Sequence, residues 1–129
     1  MATQAKTISP SRRTYAIATV STSTDGLSDV VDLGGLTLSS IQMATAWTAA
    51  GITFKGSASS SDAMGSIYHT TGTIELTYAT TPSMTHVLDP AFFSGIRFIQ
   101  IRSGTSATPV AQAATRSVVL GLAPYGHNK

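Results

Sequence analysis

Gly95-Ile96-Arg97-Phe98-Ile99-Gln100-Ile101-Arg102-Ser103-Gly104 sets the fold class. Apolar Ile96, Phe98, Ile99 and Ile101 are interleaved with polar Arg97, Gln100 and Arg102. The branched and aromatic side chains are stiff, and a glycine stands at each end of the run. This is the pattern of a strand central to a sheet. The alternation slips once, where Phe98 and Ile99 are adjacent, which marks either a bulge or a position buried on both sides. A strand this apolar needs a second apolar layer over its buried face, so the remaining segments are read for that layer.

Towards the N-terminus, Thr14–Val20 alternates and opens the fold, and Ser21–Gly26 is a turn by composition. Leu27–Leu33 reads as a second strand or edge, closed by Gly34-Gly35, and Leu36–Met43 as a third with one slip. Ala44–Ala50 is the one stretch where a short helical turn is expected, though it is too brief for an independent helix. Gly51–Ala58 alternates again. Ile67–His69 and Thr73–Tyr78 form a hairpin, with Ile74, Leu76 and Tyr78 on one face and Glu75 and Thr77 on the other. Met84–Leu88 is a short strand, and Asp89 is placed to cap a single turn through Pro90, Phe92 and Phe93. Residues 103–115 form a long connection, and Arg116–Leu122 is the last strand. Eight or nine short strands separated by turn signals, with no amphipathic window of helical length, predict an all-β, antiparallel β-sandwich of jelly-roll type. The expected organisation is an extended arm over residues 1–13, a sandwich over 14–122 and a tail over 123–129.

Composition narrows the function. In 129 residues, 42% are apolar but only 11% are charged, well under half the usual share. A surface of Ser, Thr, Gln and backbone suits a protein packed against other subunits, because few ions must then lose their water. The net charge of +2 is unevenly spread: four basic and six acidic residues leave 14–122 at −2, while Lys6, Arg12, Arg13 and Lys129 put +4 on the ends. No nucleic-acid-binding face is expected on the fold; the arm with Lys6, Arg12 and Arg13 is expected to seek an acidic groove on a partner. Cysteine is absent, so disulfides and thiolate metal sites are excluded. Residues 1–13 lack the apolar core of a signal peptide and no segment approaches bilayer length, so a soluble protein is expected.

No constellation for catalysis emerges. His69, His86 and His127 lie in separate segments without metal-ligand spacing. Asp25, Asp29 and Asp32 lack the glycine and the acidic density of a calcium loop. Gly34-Gly35 precedes a strand, so no phosphate cradle follows, and no Gly-x-Ser-x-Gly elbow is present. We therefore expect no enzyme, cofactor or metal. Trp47, if exposed beside Tyr68 or Tyr78, is a sugar-stacking platform; if buried, as Ala46, Ala49 and Ala50 favour, it plugs one end of the sandwich. Phe92 and Phe93 read as a core cover, with one of them open to a neighbouring subunit. Arg97 and Arg102 are expected to pair with Asp29, Asp32 or Glu75, within the domain or across an interface. Trp47, Phe92, Phe93, Arg97 and Arg102 are thus the candidate interface residues.

The order Asp32-Leu33-Gly34-Gly35, Ile41-Gln42-Met43, Trp47-Thr48-Ala49-Ala50, Ile52-Thr53-Phe54, Leu88-Asp89-Pro90, Gly95–Ile99, Arg102–Ser106 and Val110-Ala111-Gln112 resembles a set of small virion proteins of tailed bacteriophages. The resemblance spans about residues 27–122. It implies a jelly-roll capsid decoration or cement protein, trimeric at threefold positions, bound to the major capsid protein or other virion proteins and assembled in the host cytoplasm. A carbohydrate-binding or adhesion module, or a tail or connector component, is the alternative.

Overall fold

The structure, a computed structural model, describes residues 14–124. The basic arm with Lys6, Arg12 and Arg13, and His127 in the tail, lie outside the described residues. Eight strands form two four-stranded antiparallel sheets: β1 (Thr14–Val20), β2 (Val31–Asp32), β3 (Thr37–Gln42), β4 (Ile52–Ser57), β5 (Gly65–Ser66), β6 (Thr85–Val87), β7 (Phe98–Ser103) and β8 (Arg116–Ala123). One sheet runs β1-β8-β3-β6 and the other β2-β7-β4-β5. The first strand pairs with the last, β2 with β7, β3 with β6 and β4 with β5. The chain is thus one long hairpin, rolled until β3 also meets β8 and β4 also meets β7. That is the jelly roll expected from the strand pattern.

The core lies between the sheets. Ile99 and Ile101 of β7 and Phe54 and Ile52 of β4 face Val118 and Leu120 of β8 and Leu38 and Ile41 of β3, all fully buried. Phe54 meets Phe93 edge to face at 5.0 Å between ring centroids and Tyr78 at 5.9 Å. Phe93 is delivered by the expected turn, a 3₁₀ segment over Pro90–Phe93 whose N-cap Asp89 accepts a hydrogen bond from the Ala91 amide.

The slip at Phe98-Ile99 is neither a bulge nor double burial: β7 pairs with β4 in unbroken register from Ile52↔Ser103 to Ser57↔Phe98. Ile99 and Ile101 point inward, and Phe98 lies half-exposed on the outer face beneath Arg97, whose Cζ stands 4.9 Å from the ring centroid. The slip in the third strand is real, a register shift between Leu38 and Ser40.

Three expectations need correction. Ala44–Ala50 contains no helical turn; it is an irregular, bent loop in which the Trp47 Nε1 donates to the Ala50 carbonyl and the Thr48 amide to Gln112 Oε1. Leu27–Leu33 is the strand-like edge of the two alternatives and not a continuous strand: only Val31–Asp32 joins a ladder. Its earlier part meets β7 through the Leu27↔Arg102 bridge and the Ser28 amide, which donates to the Ile101 carbonyl at 2.8 Å. The Ser28 hydroxyl, which accepts from the Ile101 amide at 2.9 Å, and the Ser28 carbonyl, which accepts from Gln100 Nε2 at 2.8 Å, reinforce this contact. In the 67–78 hairpin Ile74 is 61% exposed, while Leu76 is buried and Glu75 turns into the fold. The hairpin is held by the Tyr68↔Glu75 bridge rather than by regular strands, so a simple period of two does not describe which side chains go in.

Phe54→Ala removes the ring on which Phe93 and Tyr78 converge. It is expected to destabilise the fold by about 3 to 5 kcal/mol, read as a fall in the midpoint of denaturant unfolding followed by tryptophan fluorescence.

Candidate interaction surface

The charged candidates fall within the domain. At the end of the sandwich where β2 ends and β7 begins, Arg97 Nε and Nη2 donate to Asp32 Oδ1 and Oδ2, each at 3.1 Å, in a bidentate pair about half exposed on both sides. Asp32 also accepts from the Gly34 amide at 2.9 Å. The Arg97 hydrogen bonds, and then that amide, hold the Asp32 carboxyl below the usual carboxylate range, and Asp32 raises Arg97. A shallow groove of about 310 Å³ runs beside the pair, lined by Gly34–Thr37, Ala58 and Gly95–Arg97.

Arg102 is buried on the outer side of β7, under the 67–78 hairpin and β5. Its guanidinium donates to Glu75 Oε2 at 2.8 Å, Ser66 Oγ at 3.2 Å and Thr53 Oγ1 at 3.3 Å. Glu75 Oε1 accepts from the Ser106 amide and hydroxyl. One ion pair therefore joins the hairpin, β7 and the loop after β7. This is a staple of the fold, and Arg102 is not open to a partner.

The aromatic candidates are also inside. Trp47 is 7% exposed, belongs to the buried core cluster and donates from Nε1 to the Ala50 carbonyl, so it offers no sugar platform. Phe93 is fully buried; Phe92 is half-buried against the core, with His69 edge-on to its ring at 5.5 Å. Of the five candidate interface residues, then, Arg97 is exposed and Phe92 partly exposed, while Trp47, Phe93 and Arg102 are buried.

Beside Trp47, Gln112 is 2% exposed. Its Oε1 accepts from the Thr48 amide and from Arg116 Nε, and its Nε2 donates to the Thr48 carbonyl and Ser103 Oγ. Nothing in the Ala-rich sequence around it distinguishes this glutamine as a buried clamp. Among the described residues every buried side-chain nitrogen and oxygen has a partner. Asp25 and Asp29 each accept from a backbone amide, of Leu27 and Thr19, and no group of three metal-ligating side chains occurs among the described residues.

The open surface is the outer face of the β1-β8-β3-β6 sheet. Its rows run Ile17, Val119, Gln42, Thr85 and Tyr15, Gly121, Ser40, Val87 across the four strands, without one charged side chain. Tyr15 is 67%, Ile17 50% and Val87 85% exposed. At position 121 a Cβ would collide with the Ser40 hydroxyl, so glycine lets the rows pack flat between Tyr15 and Ser40. The face continues into a groove of about 400 Å³ between Met43–Ala46 and Thr115–Ser117. Sequence reasoning did not single out this surface, because the alternation in β1 does not say which side faces in; Ala16, Ala18 and Val20 are the ones that point inward.

Glu75→Ala leaves the Arg102 charge buried and unpaired and is expected to cost about 3 to 5 kcal/mol, with much of the loss recovered in Glu75→Ala/Arg102→Met; denaturant melts of the single and double variants read this. In a carboxyl-carbon NMR titration, Asp32 is expected to protonate at lower pH in the wild type than in Arg97→Ala. The sign follows from the lowered folded pKa: the pair's stabilisation is complete above the unfolded carboxylate pKa, about 3.9, and is lost as pH falls through the lower folded value. No protein-family model, curated protein or solved structure matches the chain.

Proposed function

We propose that this chain is a non-enzymatic structural protein of a tailed-phage virion, a decoration or cement protein that binds neighbouring capsid subunits through a sheet face. The observation that carries the reading is the uncharged outer face of β1-β8-β3-β6, with Tyr15, Ile17 and Val87 standing into solvent. Covering such a face strips no ion of its water, and its hydroxyls and amides can exchange hydrogen bonds with a partner. The virion setting comes from the resemblance over residues 27–122. Burial of Trp47 weighs against the adhesion alternative at that residue, while a tail or connector role would use the same surface at lower abundance.

Quantitative mass spectrometry of purified particles tests this. A copy number comparable to that of the major capsid protein is expected; a number typical of a single vertex moves the chain to the tail or connector, and absence from the particle overturns the reading.

A further inference from the structure

The four sheet edges are unequal. The edges β2, β5 and β6 are two, two and three residues long, as in proteins that blunt their edges against unwanted pairing. The fourth, β1, has seven residues, Thr14-Tyr15-Ala16-Ile17-Ala18-Thr19-Val20, with no charge, no proline and an unbroken register to β8. One end of its outer edge is closed: Asp29 Oδ1 accepts from the Thr19 amide at 2.8 Å and the Asp29 amide donates to the Thr19 carbonyl at 3.2 Å. Alternate residues of a strand turn their N–H and C=O groups to the same side, so Tyr15 and Ile17 also direct theirs away from β8. Among the described residues nothing pairs with them there.

We infer that this edge is a pairing site for a second copy of the chain, β1 against β1, antiparallel about a twofold axis centred on Ala16. That register sets Tyr15 of each copy opposite Ile17 of the other and uses the free N–H and C=O groups of both. Sliding the centre to Ile17 would place Tyr15 opposite Thr19, whose edge groups Asp29 already occupies. The two side chains are exposed on the outer face, and an aromatic opposite a β-branched residue is a favourable cross-strand pair.

Charge selects the second copy as occupant. The chain enters β1 directly from Arg12-Arg13 and leaves it towards Asp25 and Asp29, so antiparallel self-pairing sets the basic end of each edge against the acidic end of the other. The result is one continuous sheet across both copies, with their uncharged outer faces joined. A twofold contact of this kind is isologous and closes at two subunits, in contrast to the threefold implied by the resemblance. It does not depend on the virion reading.

Sedimentation velocity of the full chain over a wide concentration range tests this together with amide hydrogen exchange. The expected results are a species of twice the 13.3 kDa chain mass and protection of the Tyr15 and Ile17 amides that is lost on dilution. Ile17→Lys, at an exposed position, is expected to weaken the dimer by roughly tenfold or more. Ile74→Lys, exposed on the distant hairpin, should leave it unchanged. If Ile17→Lys fails to fold, wild-type exchange alone decides. A single-chain or three-chain mass, a dimer in which these two amides stay unprotected, protection that does not change with concentration, or an Ile17→Lys dimer as tight as the wild type would each overturn the inference.

Discussion

A hairpin rolled on itself is open until its middle strands find partners outside their own pair. In this chain the closing contacts are β3 with β8 and β4 with β7. They make β7 and β8 interior strands, flanked on both sides, and this brings Ile99, Ile101, Val118 and Leu120 to zero exposure. The other strands depend on that closure: β2 and β5 are two residues long and could not persist as an isolated ribbon. The loops between them are positioned by the closed roll.

Within that frame, side-chain hydrogen bonds do the work that regular strands do elsewhere. Ser28 ties the segment before β2 to β7, Gln112 ties the segment before β8 to the Trp47 loop, and the Arg102 to Glu75 pair ties the 67–78 hairpin to β7 and Ser106. A chain with so few charges spends one of its acid and base pairs inside the fold. A buried pair is weak evidence for stability in itself. Here it joins three segments that otherwise share little ladder pairing, which gives it a defined role in fixing loop positions.

The two sheets differ in what they leave to a partner. The outer side of β2-β7-β4-β5 is partly covered by its own hairpin and carries the Arg102 staple, and the exposed Arg97 to Asp32 pair stands at its end. Among the described residues, the outer side of β1-β8-β3-β6 carries only neutral side chains, ends in a groove and has the one long edge. Face and edge share Tyr15 and Ile17, so association along the edge and covering of the face draw on the same residues.

The all-β class, the central strand, the Asp89 cap and the strand count were legible in the sequence, because they depend on local properties: side-chain stiffness, a period of two, and turn residues at fixed offsets. What tertiary structure decided is which side of each strand faces in. Residues Tyr15 and Ile17 have the apolarity of core positions, yet the smaller Ala16 and Ala18 go inward, where β1 meets the opposite sheet. A period of two leaves both assignments open, and one step of register exchanges them. The same holds for Glu75, which by pattern lies opposite the core and by position meets Arg102 across 27 residues of chain. Gln112 reaches Thr48 across 64 residues. Contacts between residues so distant in sequence leave no mark on local pattern; they exist only once the roll has closed.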